Sequence, residues 1–81
     1  MQPFVGQIEL FPYPFTPKDW LPCEGQVLKI SMYMLLFSVL GTNFGGDGKT
    51  TFALPDLRGK APAPNLQYFI ALHGAFPNRA D

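Results

Sequence analysis

The residues best suited to chemistry in this chain are few and widely spaced. The run GGDGKTT contains Gly48, Lys49 and Thr50, the order that closes a phosphate-binding loop. The first glycine of that motif should stand five residues before Gly48, and Asn43 occupies that position instead. The motif also follows a strand and opens a helix, whereas this run follows a predicted helix and precedes a short strand. We interpret it as a glycine-rich turn.

Acid–base catalysis would have to draw on Asp19, Glu24, Asp47 and Asp56. Nothing in their spacing brings two of them together, and they stand in turn-like segments rich in glycine and proline. We therefore interpret them as turn residues whose side chains accept hydrogen bonds from local backbone amides. Asp56 is expected to go further and brace the chain by a carboxylate–guanidinium contact with Arg58.

The single cysteine, Cys23, and the single histidine, His73, are the remaining reactive side chains. No third residue suggests itself to orient a Cys–His pair, and these two residues cannot complete a four-ligand zinc site in one chain. Cys23 is predicted to be a small buried packing residue. His73 is expected at or near the surface, with the alternative that three copies meet at an axial metal in a three-fold assembly. We predict no catalytic residue and no cofactor.

Trp20 has a large apolar surface and two open interpretations. It packs under the proline-rich segment near Pro22, or it forms with Tyr13 a platform on which a sugar ring stacks. Exposure of the ring discriminates between them. A buried Trp20 favours a structural role, and an exposed Trp20 clustered with Tyr13 favours binding of a sugar.

Short strands and one helix must position these residues. The patterns predict strands over 4–11, 26–30, 51–54 and 66–72, and a helix over 32–40 that Ser31 caps and Gly41 ends. Both faces of the last strand are apolar, so its centre should be buried on both sides. The prolines at positions 12, 14, 17 and 22 predict an irregular segment between the first two strands. KAPAPN, residues 60–65, predicts a stiff extended connector.

Composition indicates one small domain over residues 1–81 that needs a partner subunit. Of its residues, 47% are hydrophobic and only 15% charged, and a core of this size is marginally stable. One cysteine excludes an internal disulfide. Six basic residues balance six acidic ones, which predicts no nucleic-acid partner. The longest apolar run, residues 32–37, is far short of the ~20 residues that span a bilayer, and no signal-like N-terminus is expected.

The order of motifs along the chain resembles the phage tail collar domain family, in particular its microcystin-dependent-protein-like branch. The resemblance lies in FVGQIELF, in WLPCEGQ, in GTNFGGDGKTTFALPDLRG and in LQYFIALHGAFPNR. It covers residues 4–79, with the collar motif over 4–59, the connector over 60–65 and a C-terminal strand over 66–79. Relatives have a long stretch rich in Gly, Thr and His where this chain has only KAPAPN. In relatives, receptor-binding structure is expected in that stretch, and its absence here argues against host-receptor binding by this chain.

The resemblance implies an α+β fold with short strands and one central helix, assembled as a trimer. We expect the interface on the apolar helix and the last strand, at Met32, Leu35, Leu36, Val39, Tyr68 and Ile70. The implied function is a non-enzymatic structural part of a phage tail or phage-derived particle. It would be made in the host cytoplasm, and it would cap, anchor or connect a tail fibre or baseplate protein. The alternative is a small adhesin or receptor-binding tip that recognises host cell-surface sugar.

Overall fold

The computed structural model describes residues 3–12 and 14–76. Within these residues, five strands, one 3₁₀ turn and one α-helix follow one another. They are β1 (Ile8–Pro12), β2 (Trp20–Pro22), β3 (Val27–Lys29), the 3₁₀ turn (Ile30–Met32), α1 (Met34–Leu40), β4 (Thr51–Ala53) and β5 (Leu66–Ala71). This agrees with the predicted α+β class.

The larger sheet has three antiparallel strands in the order β1-β5-β2, so the last strand lies in the middle. Ile70 of β5 stands opposite Ile8 on one side and Leu21 on the other. Phe69, Ile70 and Ala71 are all buried, which confirms the prediction that the centre of this strand is covered on both faces.

Strand β2 was not predicted, because four prolines in residues 12–22 argued against regular structure. The structure pairs Trp20 with Ala71 and Pro22 with Phe69 in spite of them. An edge strand needs backbone donors on one side only, and proline is tolerated at such an edge. The prolines therefore shorten the edge strands without excluding them.

The first predicted strand begins later than its alternating pattern indicates. Residues 4–7 form a turn in which Gly6 has a φ of 85°, and the Gly6 amide donates to the Ala71 carbonyl at 2.9 Å. The turn breaks the two-residue period, so Val5 is buried while Ile8 is partly exposed. Regular pairing starts only at Ile8.

A second, two-stranded sheet joins β3 to β4, with Lys29 opposite Thr51 and Val27 opposite Ala53. Both strands lie within the predicted ranges. Helix α1 lies between these two strands in the sequence. It starts at Met34, two residues later than predicted, and Ser31 does not cap it. The predicted cap is wrong because the chain first makes the 3₁₀ turn and is then interrupted at Tyr33, whose φ of −139° and ψ of 49° are not helical. Gly41 ends the helix as predicted, with a φ of 58°.

One apolar core joins the two sheets and the helix. Its buried members come from every region of the described chain: Val5, Cys23, Leu36, Phe52, Leu54 and Ile70. The rings of Phe37 and Phe52 meet edge to face at 5.5 Å between centroids. Among the described residues the core contains no buried polar or charged side chain.

Candidate functional site

Large apolar side chains are exposed on helix α1 and on the 3₁₀ turn before it. We call four of them the outer helix face: Met32 of the turn (67% exposed) and Met34 (66%), Leu35 (53%) and Val39 (37%) of the helix. The helix, MLLFSVL, has no charged residue. Its one polar side chain, Ser38, donates its hydroxyl to the Leu35 carbonyl at 2.6 Å and so satisfies itself within the helix. No polar side chain of the helix therefore opposes apolar contacts on this side.

The six expected interface residues differ in their exposure to solvent. Met32, Leu35 and Val39 are exposed, and Tyr68 is half-buried. Leu36 and Ile70 have no exposed surface, because both belong to the core of the single chain. A side chain already enclosed by its own fold cannot contact a second subunit, so we correct the interface by removing these two. Met34 is exposed but was not among the expected residues, because a helix that is apolar on all sides gives no periodicity from which to choose its inner face.

The glycine loop that follows α1 is organised by one carboxylate. Asp47 Oδ1 accepts hydrogen bonds from the amides of Lys49, Thr50 and Thr51 at 2.8, 2.8 and 2.9 Å, and Oδ2 accepts from the Thr50 hydroxyl at 3.0 Å. These bonds hold the pKa of the Asp47 carboxyl well below its usual range. The amides that a phosphate loop would offer to a nucleotide are already occupied by this side chain, in agreement with the turn interpretation.

Asp56 and Arg58 make the expected contact. Asp56 Oδ1 accepts from Arg58 Nε at 2.9 Å, and Oδ2 accepts from Arg58 Nη2 at 2.8 Å. The Arg58 guanidinium lowers the pKa of the Asp56 carboxyl to about 2. Both side chains are exposed, and the pair braces the turn after β4.

The candidate nucleophile Cys23 is 1% exposed and is a member of the core. Burial raises the pKa of its thiol to about 11, which disfavours the reactive thiolate. Cys23 is therefore a packing residue, as predicted. In the part of the chain that the structure describes, no three His, Cys, Asp or Glu residues group as metal ligands. Convergence of three His73 copies on a metal stays a prediction.

Trp20 is half-buried, and its ring meets the ring of Phe11 edge to face at 5.0 Å between centroids. The Phe11 ring in turn meets Phe69 at 5.7 Å, so this aromatic row ties both edge strands to β5. Trp20 also lines a shallow cavity of about 150 Å³ together with Pro3, Lys18, Asp19, His73 and Gly74. Tyr13, the other half of the predicted platform, lies outside the described residues.

Asp19, which lines this cavity, has an unusual backbone conformation. Its φ of 67° is the only positive φ of a non-glycine residue in the described ranges. Its carbonyl accepts from the Leu72 amide at 2.9 Å, next to His73. Gly74 closes the other side, where a Cβ would lie 2.0 Å from the Pro3 carbonyl oxygen. The sequence singled out Trp20 and His73 separately but gave no sign that the fold brings them together.

The family model described as Phage Tail Collar Domain matches residues 6–62, which is more than half of the chain. The chain belongs to this family. The search of curated proteins and the search of solved structures each found no match.

Membership gives this collar domain a structural role related to the phage tail fibre and a place in the virion tail. The family is structural and non-enzymatic. The matched residues include β1 to β4 and α1 but stop before β5, the strand that lies between β1 and β2. No helix in the described ranges is long and apolar enough to cross a membrane.

Proposed function

We propose that this collar domain self-associates as a trimer and that the trimer caps, anchors or connects a tail fibre or baseplate part. The observation that carries the proposal is the outer helix face, with Met32, Met34, Leu35 and Val39 exposed and no charge on the helix. Large apolar patches on small soluble domains mark protein interaction sites.

The energetics of a small domain support the same conclusion. Burial of apolar surface contributes ~25 cal/mol per Å², and a chain of this length buries too little of it alone for more than marginal stability. Covering the outer helix face with copies of itself would add burial without lengthening the chain. Tyr68, half-buried on β5, remains a proposed contact at this interface.

The proposed partner is a second tail, fibre or baseplate protein with three-fold symmetry. Matched symmetry lets three equivalent weak contacts form at once, and the linked contacts bind far more tightly than one alone. In this interpretation the collar works by apolar burial and performs no catalysis.

Light scattering coupled to size exclusion tests the trimer through its mass. We expect the purified protein at about three times the chain mass of 9.0 kDa. Leu35→Asp should lower that mass toward the monomer, because it places a charge in the outer helix face. Val27→Asp is the matched control, since Val27 is 62% exposed but lies on β3, and it should leave the mass unchanged. A folded monomeric wild type would refute the proposal, as would a Leu35→Asp chain that remains a trimer.

A second candidate function, recognition of a surface sugar, is favoured by the cavity beside Trp20. An apolar ring next to a carboxylate, an ammonium group and an imidazole suits a ligand with carbon–hydrogen faces and hydroxyl groups. Trp20 is the only tryptophan, so its fluorescence reports this cavity directly. Saturable changes on titration with a monosaccharide panel, weakened by Asp19→Asn, would support an adhesin. An unchanged spectrum across the panel would reject it.

A further inference from the structure

A cavity of the described chain lies where the β3–β4 ribbon meets the glycine loop. Its volume is about 330 Å³, and its walls come from two chain segments: Lys29, Ile30, Ser31, Lys49, Thr50 and Thr51. The two segments are tied together, because Lys29 pairs with Thr51 and the Ile30 amide donates to the Thr50 carbonyl at 3.0 Å. The cavity is thus formed by paired backbone.

The lining of this cavity contains two lysines and no acidic residue. Both lysines are exposed, and the only ion pair in residues 3–12 and 14–76 joins Arg58 to Asp56 elsewhere. Asp47 is the nearest acidic residue in sequence, but its oxygens face the loop amides and the Thr50 hydroxyl. The 3₁₀ turn that forms one wall, ISM, contributes no charge. Two ammonium groups on one cavity attract an anion.

The hydrogen-bonding groups narrow the class of anion. Ser31 is exposed and caps neither the 3₁₀ turn nor α1, so its hydroxyl is free to donate to a ligand. Thr50 already donates to Asp47 and offers only its lone pairs. The donors are therefore two ammonium groups and one hydroxyl, a set that suits a tetrahedral oxyanion. The side chain of Ile30 and the methylene stems of the lysines supply an apolar wall beside it.

We propose that this cavity binds a phosphate monoester carried on a compact organic group such as a sugar. A phosphate monoester carries about −1.5 to −2 charges at pH 7, which matches the two lysines, whereas a sulfate monoester carries only one. A cavity of about 330 Å³ exceeds the needs of one phosphate and leaves room for the group that bears it.

This mode of binding differs from that of a phosphate loop, although Lys49 and Thr50 occur in both. In a phosphate loop the backbone amides hold the phosphate. Here Asp47 occupies those amides, and the ligand is held by side chains from two segments. Lys29 and Ser31, 20 and 18 positions before Lys49, have no place in the loop motif.

Titration calorimetry with glucose 6-phosphate, glucose 6-sulfate, inorganic phosphate and glucose tests the proposal. We expect glucose 6-phosphate to bind best, the sulfate at least fivefold more weakly, and glucose not at all. Inorganic phosphate should bind more weakly than the sugar phosphate if the organic group contributes. Equal affinities would place recognition in the phosphate alone and overturn the part of the proposal that concerns the sugar.

Variants locate the site. Lys29→Gln and Lys49→Gln should each weaken binding of glucose 6-phosphate about tenfold, because each removes one charge-assisted contact worth about 1.4 kcal/mol or more. Lys18→Gln is the matched control, since Lys18 is an exposed lysine on another cavity, and its affinity should equal that of the wild type. Circular dichroism checks that each variant keeps its fold. The absence of binding to any phosphate, or an equal loss in Lys18→Gln, would overturn the proposal.

Discussion

At the level of single residues, the sequence predicts contacts between near neighbours in the chain better than any other feature. Asp56 and Arg58 stand two positions apart, and the rigid Pro55 and the flexible Gly59 leave their side chains close together. Asp47 similarly satisfies amides two to four positions ahead of it. Such contacts depend on local geometry alone. The cavity formed by Lys29 and Lys49 depends on strand pairing, which no local pattern contains.

The two turn carboxylates should make the fold sensitive to acid. The folded-state pKa of Asp56 is lowered from 3.8 to about 2, and hydrogen bonds from the loop amides lower the pKa of Asp47 as well. A lowered pKa stabilises the fold above the unfolded value and loses that effect as pH falls through the folded value. The thermal midpoint should therefore fall between about pH 4 and about pH 2, and Asp47→Asn should flatten the fall.

Asp19→Asn is the control for this experiment, because asparagine tolerates the left-handed backbone at that position as well as aspartate does. Thermal denaturation followed by circular dichroism across this pH range gives the comparison. Since both turn carboxylates are exposed, added salt should reduce the contribution of the Asp56–Arg58 pair. A fall of equal slope in Asp47→Asn and the wild type would contradict the assignment.

At the level of elements, the sequence identified the helix but not the direction in which it faces. A stretch with one polar residue in seven presents no apolar stripe, so only packing against β4 and β5 selects Leu36 for the core. The predicted N-terminal end of the helix was wrong for a related reason. The 3₁₀ turn and Tyr33 replace the first predicted helical turn, and Ser31 is left to face the cavity beside β3.

Adjacent leucines in α1 should respond differently to truncation. Leu36→Ala should lower the free energy of unfolding by about 2–5 kcal/mol, because it opens a cavity in the core. Leu35→Ala should leave the stability of the monomer within about 0.5 kcal/mol of wild type, because Leu35 is half-exposed. Urea denaturation at low protein concentration measures both. Equal losses in the two variants would contradict the orientation of the helix.

The glycine loop depends on one close approach. A Cβ at Gly46 would lie 2.3 Å from Phe52 Cα and 2.7 Å from the Thr51 carbonyl oxygen, so Gly46→Ala must displace the loop from β4. Gly59→Ala is the matched control, since Gly59 also has a positive φ but nothing within 4 Å. We expect a cost of about 1–2 kcal/mol at Gly59 from backbone strain and a much larger loss at Gly46. Thermal midpoints of the two variants decide the point, and similar values would refute the close approach.

At the level of the whole molecule, strand order was the feature least accessible to prediction. Alternating and apolar patterns located β1 and β5, yet nothing in either run states that β5 enters between β1 and β2. The family match, over residues 6–62, also ends before that strand. Without β5, the two edge strands β1 and β2 would have no partner strand in the matched region. Val5, Leu21 and Cys23 would also lose Ile70 from the core that they share with it.

A chain ending at residue 62 should therefore fail to fold, although it contains the whole family match. We expect no cooperative thermal transition and rapid proteolysis. Adding a peptide of residues 63–76 should restore structure, because an extended segment can supply a missing strand from a separate molecule. The same peptide with Ile70→Asp is the control and should not restore it. A truncated chain that unfolds cooperatively would show that β5 is dispensable.

The central position of β5 has a consequence for synthesis on the ribosome. Translation proceeds from the N-terminus at ~5–20 residues per second, so β1 and β2 wait several seconds for the strand that joins them. During that interval their apolar side chains and those of α1 lie in a nascent chain that cannot yet close its sheet. Exposed strand edges of this kind invite aggregation between neighbouring nascent chains. Production of this small protein should therefore depend on chaperones that bind it during translation.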